Sequence, residues 1–336
     1  MTENLNVPLV SIIIINYNGK SYLEKCLESI KKIKYDNLEI IVVDNNSTDG
    51  TMEFLAQNYP SIITLKLDKN YGFAKPNNVA AKIAKGDFLL FLNNDTEVTP
   101  NFLTELVQVL VGNDQIGICQ SLLLKPNGEI DSSGDFIDTI GVVYNSKEPI
   151  DKIREISSAR GASMIIRKEL FLDLEGFDEQ FFVSFEDVDL GWRTWIKGYK
   201  VVINPKSVVY HHGGKTHDSI KDEISFHGLK NQLSMKITNF EMKYSISSLL
   251  KFFIIFGIRE LKILLDYKIK GKTAMTSTKY EDTIAAKPNI NAILKALFWI
   301  ISNSKYLRNK RKKIHGYRKI STRELQKINV LSNTQR

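Results

Sequence analysis

Hydrophobic residues in the first 120 positions occur in short runs, and most runs end abruptly in small polar side chains. The runs have the length and apolar character of buried strands, and stretches with apolar residues at helical spacing separate them. This alternation predicts an α/β protein with a mostly parallel central sheet and helices on both faces. The predicted strands are 10–15, 38–43, 62–67, 87–92 and 116–119.

Local signals set the expected ends of the intervening helices. Ser21 and Glu24 have the spacing of a capping box at the start of the first helix. Pro76 suits a first helical position, and Gly86 suits the end of the same helix.

Residues 121–180 are less regular, and from about residue 226 onward the sequence is predicted to be helical. We expect a catalytic domain at 1–240, with a donor-binding half at about 1–120 and an acceptor half at about 121–240, and a helical region at 241–336. The features predicted between 121 and 240 are a hairpin turn at 125–129, a strand at 162–166, an aromatic loop at 174–182, a helix at 186–197 and short strands at 200–203 and 207–210.

Charge divides the chain unevenly. Residues 1–239 carry 25 Lys and Arg against 32 Asp and Glu, whereas residues 240–336 carry 21 against 6. An acidic body, with no basic groove interleaved with aromatic residues, argues against nucleic-acid binding. Two cysteines, a polar N-terminus and no apolar run of about 20 residues predict a cytoplasmic protein without a signal peptide.

Small polar residues follow the strands at the points where they end. The carboxyl ends of parallel strands share one edge of a sheet, where ligands bind in open α/β folds. The alternative is that these residues only form turns and helix caps. No glycine-rich dinucleotide or phosphate-loop motif is present, so a nucleotide would be bound by side chains and a cation. The candidate donor-binding residues are Asn16, Asn18, Asp44, Asn45, Asn70, Gly72, Asn78, Asn93, Asn94 and Asp95.

A second candidate centre is the acidic start of the helix at 186–197. Glu186 and Asp187 follow an aromatic loop, and a carboxylate beside a semi-apolar pocket suits a general base for a sugar hydroxyl. Adjacent acids at a helix start also interact with the helix dipole, which is the structural alternative. Asp189 and Arg193 have i,i+4 spacing and are predicted to form a structural ion pair.

His211 ends the predicted strand at 207–210 and is a candidate metal ligand beside Asp95. Gly213 and Gly214, followed by Lys215 and Thr216, suit a loop that closes over phosphates. The alternative is that His211 is structural.

Taken together, these segments resemble the family 2 glycosyltransferases, and within them the rhamnosyltransferase-like branch that builds surface polysaccharides. The resemblance covers about residues 9–240. The matching segments are 11–19 (SIIIINYNG), 41–49 (IVVDNNSTD), 70–74 (NYGFA), 91–96 (FLNNDT), 176–179 (GFDE) and 185–190 (FEDVDL).

The resemblance implies a GT-A fold and an inverting transfer from a nucleoside diphosphate sugar, with dTDP-rhamnose or a UDP-sugar expected. Asn16 and Asp44 would contact the base and ribose, Asp95 with His211 would bind Mg²⁺ or Mn²⁺, and Asp187 would be the base. Gly176, Phe177, Asp178 and Phe182 would shape the acceptor site. Asn93 departs from the Asp-x-Asp metal motif common in the family, and Pro76 falls within the 70–78 segment.

The apolar helical faces at 249–266 and 291–301, with the basic cluster at 308–313, predict a peripheral membrane contact. Such a contact would suit an acceptor carried on a polyprenyl diphosphate. The alternative is packing on the catalytic domain or on a second subunit, as in a homo-oligomer. The competing functions are a polyprenyl-phosphate glycosyltransferase, which needs no base, and a non-catalytic nucleotide-sugar-binding protein.

Overall fold

The computed structural model of the chain describes residues 7–213, 221–270 and 290–332. The chain forms two compact units, which are described separately. The sheet unit comprises 1–136, 145–182 and 186–214, and the helical unit comprises 137–144, 183–185 and 215–336. The predicted division into domains at residue 240 stays a prediction.

Ten strands form one sheet among the described residues. Their order is β3–β2–β1–β4–β11–β6–β12–β10, with β5 beside β12 and β7 beside β6. The strands β1, β2, β3 and β4 pair in parallel, as do β6 and β12, and β11 runs antiparallel to both of its neighbours. The strands are β1 (Val10–Asn16), β2 (Leu38–Asp44), β3 (Ile63–Lys66), β4 (Phe88–Asn93), β5 (Thr96–Val98), β6 (Ile116–Leu124), β7 (Ile130–Ser132), β10 (Arg154–Glu155), β11 (Ser163–Arg167) and β12 (Lys200–His211).

Helices cover this sheet because alternate strand residues point to opposite faces. Ile12 and Leu90 join the core beneath the first and fourth helices, whereas Phe91 packs on Phe171 and Phe177. This arrangement confirms the predicted α/β class with a mostly parallel sheet. The helices of the sheet unit are α1 (Lys20–Ile30), α2 (Thr51–Asn58), α3 (Ala74–Ile83), α4 (Phe102–Gly112), α5 (Lys168–Asp173) and α6 (Glu186–Ile196).

Several local predictions were wrong in detail. Helix α1 begins at Lys20, so Ser21 lies inside it and caps nothing. Pro76 is the third residue of α3, where a missing N–H still costs no hydrogen bond, and α3 ends at Ile83 rather than near Gly86. The strands predicted at 200–203 and 207–210 are one strand, β12, with an irregularity between Asn204 and Val208.

Five helices and a small sheet make up most of the described part of the helical unit. Arg311 donates to the carbonyls of Ile237 and Phe240, and Arg318 donates to the carbonyl of Asn239. These two arginines therefore bind backbone carbonyls at the C-terminal end of the helix at 221–239, which have no partner within the helix itself. The helices are α7 (Lys221–Asn239), α8 (Met242–Lys270), α9 (Ile290–Ser302), α10 (Ser304–Gly316) and α11 (Thr322–Lys327), and the small sheet contains β8 (Asp135–Asp138), β9 (Val143–Asn145) and β13 (Leu331–Ser332).

Helices α8 and α9 leave large apolar side chains exposed. Phe298 and Ile301 of α9 are 73% and 72% exposed, and Leu250, Ile254 and Ile258 of α8 are each more than 60% exposed. No helix in the described part of the chain is both long enough and apolar enough to cross a membrane.

Candidate active site

The predicted polar rim is present at the carboxyl ends of β1, β2 and β4. Asn16 is in register with Asp44 across β1 and β2, and Ile15 is in register with Asn93 across β1 and β4. The parallel register therefore places side chains from three separate sequence motifs at one edge of the sheet.

Asn16 is buried and holds the rim together from within. Its Nδ2 donates to Thr51 Oγ1 at 3.0 Å and to Ser47 Oγ at 3.3 Å, and its Oδ1 accepts from Asn94 Nδ2 at 2.6 Å. Asn18 lies at the surface and accepts from the Thr48 N–H at 2.8 Å. The Asn16 amide is thus committed to internal bonds, and its predicted contact with the base stays a prediction.

Asp44 is buried with one carboxylate oxygen left over. Its Oδ2 accepts from the Ser47 N–H at 3.0 Å, whereas Oδ1 has no hydrogen-bond partner among the described residues. A buried acceptor without a partner costs about 1–3 kcal/mol unless a ligand supplies a donor. Asp44 Oδ1 can therefore accept a hydrogen bond from a ribose hydroxyl or a base N–H.

Asn45 organises the loop that contains Asn70 and Gly72. Its Nδ2 donates to Asn70 Oδ1 at 2.8 Å and to the Gly72 carbonyl at 2.9 Å. Gly72 has φ 74°, and a Cβ there would lie 1.9 Å from the Phe182 carbonyl oxygen. Glycine is required at this position, and the predicted donor loop and acceptor loop meet there.

Hydrogen bonds from the side chains of Asn78 and Arg193 hold the loop at 174–182 in place. Asn78 Nδ2 donates to the Phe177 carbonyl at 2.8 Å, and Arg193 donates to the carbonyls of Leu174 and Gly176 while pairing with Asp189 at 2.8 Å. The predicted Asp189–Arg193 ion pair is confirmed.

The four predicted acceptor residues differ in exposure. The Phe177 ring is only 1% exposed and packs in the core, so its side chain supports the loop. Gly176 is also buried, whereas Asp178 and Phe182 are partly exposed. Their assignment to acceptor binding stays a prediction.

Asp95 and His211 are brought together by the short strand β5. This strand pairs with the end of β12 and places His211 opposite Thr96, the residue after Asp95. The sequence analysis did not predict β5. His211 Nε2 lies 3.4 Å from Asp95 Oδ1, and His211 Nδ1 lies 2.9 Å from Asp131 Oδ2. Asp131 is a further residue that the sequence analysis did not find, since nothing in its local sequence marks it.

The electrostatics of this cluster favour a cation. Burial alone would lower the pKa of His211, but the hydrogen bonds that the protonated ring donates to the carboxylates of Asp131 and Asp95 outweigh burial and raise the pKa to about 9. For Asp131, burial acts to raise the pKa, but the hydrogen bond with His211 and the other nearby charges together have the larger effect, and the pKa is lowered.

A divalent metal fits the donor atoms of Asp95 and His211, a carboxylate and an imidazole. The described residues contain no set of three or more acidic, His or Cys side chains arranged for a metal. A metal at Asp95 and His211 would therefore need further ligands from a bound diphosphate. The predicted loop at Lys215 and Thr216 lies outside the described residues.

Glu186 and Asp187 begin α6 behind two residues in left-handed conformation, Ser184 and Phe185, each with φ 69°. Burial and the Asp187 charge raise the pKa of Glu186 well above its usual value, and its Oε2 has no partner among the described residues. Burial also raises the pKa of Asp187, although its Oδ2 accepts from the Gly161 N–H at 3.0 Å. Raised pKa values of buried acids are typical of general bases.

Two residues beside Asp187 were not predicted. Arg160 pairs with Asp135 through Nε at 3.1 Å, and its charge acts to lower the Asp187 pKa. Burial raises the pKa of Asp135 to about 6 in spite of this pairing. Neither residue lies in a recognisable motif, and only the tertiary fold brings them to Asp187.

The candidate base and the rim are connected through the two residues just before β11. Gly161 donates to Asp187, and the next residue, Ala162, accepts from the Asn93 N–H at 3.1 Å. Two adjacent backbone residues therefore connect the two candidate centres within the sheet unit.

Comparison with known proteins assigns this arrangement to a family. Residues 11–174 match the description "Glycosyl transferase family 2". This part of the chain is a glycosyl transferase family 2 domain. The predicted family and enzyme class are thus confirmed.

The relatives of this glycosyltransferase differ in length. It is 33% identical over 221 residues to the O-antigen biosynthesis protein RfbC of Myxococcus xanthus, covering 61% of this chain but 17% of that protein. It is 24% identical over 246 residues to an N-acetylglucosaminyl-diphospho-decaprenol L-rhamnosyltransferase of Mycobacterium tuberculosis, covering 65% of this chain and 80% of that protein. The chain therefore spans most of the second relative but less than a fifth of the first.

Solved structures confirm the GT-A fold. GalNAc-T7 with UDP, GalNAc and Mn²⁺ superposes with a TM-score of 0.60 at 17% identity, covering 89% of this chain and 58% of that one. The mannosyltransferase PcManGT of Pyrobaculum calidifontis, in complex with GDP-Man and Mn²⁺, gives 0.57 at 17% identity and covers 88% of both chains.

Proposed function

We propose that this glycosyltransferase transfers a sugar, with inversion, from a nucleoside diphosphate sugar to a hydroxyl of a saccharide or lipid-linked saccharide. The observation that carries the proposal is the link between Asp187 and the rim through Gly161, Ala162 and Asn93. A base joined in this way to a donor rim suits in-line attack by an acceptor hydroxyl.

Asp187 takes the proton of the acceptor hydroxyl as its oxygen attacks the anomeric carbon. The bond to the diphosphate breaks with its electron pair on the leaving oxygen, and attack from the opposite face inverts the anomeric centre. Burial favours this proton transfer because it raises the Asp187 pKa. Glu186 is buried beside it, and burial together with the Asp187 charge raises the Glu186 pKa, so Glu186 holds its proton while the negative charge stays on Asp187.

Asp95 and His211 would hold Mg²⁺ or Mn²⁺. When bound, the metal supplies charge stabilisation for the diphosphate leaving group. Asp95 is 6% exposed, so its carboxylate needs little reorganisation to bind. The presence of Mn²⁺ with GalNAc-T7 and with PcManGT supports this proposal.

Asp44 Oδ1 would bind the ribose or base of the donor, since this buried acceptor of the rim has no partner in the part of the chain that the structure describes. The mycobacterial relative is named for a decaprenol-linked acceptor and for rhamnosyl transfer. We therefore expect dTDP-rhamnose or a UDP-sugar as donor and a polyprenyl-diphosphate-linked saccharide as acceptor.

A panel of nucleotide sugars with Mn²⁺ tests the proposed donor. Because a ligand that binds only the folded state raises apparent stability, the true donor should raise Tm and its free nucleoside diphosphate should do so as well. Transfer to a lipid-linked acceptor analogue should then stop in EDTA and recover with Mn²⁺. Full activity in chelator would remove the metal role of Asp95, and no response to any donor would contradict the proposal.

A membrane surface is the expected location of that acceptor. The polar residues of α9 and α10 include no acid; α9 has exposed apolar residues such as Phe298, and α10 has exposed basic ones such as Arg308 and Lys312. Interfacial helices combine these features, and anionic lipid heads attract the basic side chains. We therefore expect the protein at the cytoplasmic face of the membrane.

Liposome flotation tests the membrane contact. Phe298→Ser with Ile301→Ser should reduce binding to anionic vesicles, whereas Val111→Ser, an exposed apolar residue of the sheet unit, should not. Equal flotation of all three proteins would contradict the contact.

A further inference from the structure

Four strands, paired in succession, assemble a cluster around His211 that includes a carboxylate with no role so far. β7 pairs with β6, β6 pairs with β12, and β12 pairs with β5. Asp131 in β7, His211 at the end of β12 and Asp95 just before β5 are thereby brought together from positions 80 and 116 residues apart in the chain.

The imidazole of His211 lies between two carboxylates with different geometry. Nδ1 is 2.9 Å from Asp131 Oδ2, a full hydrogen bond, whereas Nε2 is 3.4 Å from Asp95 Oδ1, a looser contact. The side chains of Asp131 and His211 are 22% and 16% exposed, so packing as well as the bond restrains the ring. Asp131 therefore fixes the ring, and Asp95 faces the nitrogen that remains.

We propose that Asp131 is a positioning residue for the metal site, holding His211 with its Nδ1 proton on Asp131 and its Nε2 lone pair directed to the side of Asp95. The proposal rests on the metal role of Asp95 and His211 given above. Histidine ligands commonly donate their second ring N–H to a carboxylate, which fixes the tautomer and strengthens the ligand. Loss of such an outer partner typically costs about 10–100-fold in metal affinity.

The neighbouring histidine offers a matched control. His212 Nε2 lies 2.8 Å from Glu97 Oε1, so a second carboxylate–histidine pair stands one residue further along. The ring of His212 packs near Tyr22 with ring centroids 6.0 Å apart. Removing the Glu97 carboxylate changes the charge near the site by the same amount but leaves the support of His211 intact.

The test is Mn²⁺ affinity of the full chain, measured by electron paramagnetic resonance with Mn²⁺ alone and with Mn²⁺ plus UDP. Asp131→Ala should weaken Mn²⁺ binding by about 10–100-fold, Asp131→Asn should lose less because its amide oxygen still accepts from Nδ1–H, and Glu97→Gln should bind like wild type. Thermal unfolding in EDTA shows whether each variant is folded.

Two results would overturn the inference, and they have different consequences. Wild-type Mn²⁺ affinity in folded Asp131→Ala, or an equal loss in Glu97→Gln, would remove the positioning role while leaving the metal site in place. Absence of Mn²⁺ binding by the wild-type chain under both conditions would remove the metal site of the proposed function, and the role of Asp131 with it.

Discussion

The two acidic centres of the sheet unit differ in how their surroundings shift the pKa values of their acids. Around His211, two carboxylates share an imidazole, so the His211 pKa rises to about 9 and the Asp131 pKa falls. At the start of α6, the buried Glu186 and the partly buried Asp187 are adjacent, and burial raises both pKa values. The first centre has the properties of a cation site and the second those of a proton acceptor. The first centre therefore suits the proposed binding of a leaving group, and the second suits the proposed activation of a nucleophile.

Removing the proposed base should have the largest effect. Asp187→Asn keeps the shape of the side chain but cannot accept the proton, so transfer should fall by about 10²–10⁴-fold. The measurement is kcat with saturating donor and acceptor, and Asp173→Asn, a mostly exposed acid, is the control. Retention of most of the rate in Asp187→Asn would instead favour a polyprenyl-phosphate acceptor, whose phosphate attacks without a base.

Changing the number of carboxylates at the cation site should alter metal affinity in both directions. Asp95→Asn should weaken Mn²⁺ binding beyond the roughly 10–100-fold loss typical of an outer-shell partner. Asn93→Asp adds a carboxylate two residues before Asp95 and should tighten Mn²⁺ binding. Isothermal titration with Mn²⁺ in the presence of UDP checks both variants, and unchanged affinity in both would place the metal elsewhere.

The His211 ion cluster should stabilise the fold below neutral pH. Its pKa is raised from 6.5 to about 9, so its contribution is full below pH 6.5 and is lost as pH rises to 9. In EDTA, His211→Gln should cost at most on the order of 3 kcal/mol at pH 6 and much less at pH 9.5. Urea unfolding at the two pH values measures this, and a cost that does not change with pH would contradict it.

Substitution of Glu186 should stabilise the fold, whereas substitution of His211 destabilises it, and the Glu186 effect should be the smallest. Its pKa is raised in the fold, so its ionisation reduces stability as pH rises above the usual value of 4.5. Glu186→Gln should therefore raise Tm at pH 8 by a few degrees and have little effect at pH 4. Thermal unfolding measures both, and a lower Tm at pH 8 would show that the ionised form is stabilised by the fold.

Much of the sheet unit was predictable because its signals are local. Apolar runs that stop at Asn16, Asp44 and Asn93 mark buried parallel strands, and parallel pairing places strand ends at one edge whatever the sequence between them. The Asp189–Arg193 pair follows from helical spacing in the same way. These predictions needed no knowledge of distant contacts.

The parts that were missed depend on distant contacts. β5 has only three residues and pairs with β12 more than 100 positions later, so no periodic signal marks it. Asp131 and Arg160 acquire roles only through partners in other strands and loops. The capping box at Ser21 failed because the chain enters α1 one residue earlier, at Lys20.

The sequence by itself determined the fold class, the family and the edge of the sheet that carries the chemistry, because hydrophobic periodicity and short motifs act over a few residues. The tertiary structure alone decided which rim residues have side-chain atoms available to bind a ligand. It buried the Asn16 amide in internal bonds, left Asp44 Oδ1 without one and set Asp131 behind His211. The reason is physical: burial and hydrogen-bond partners fix the charge and availability of a side chain, and both come from segments far apart in the chain.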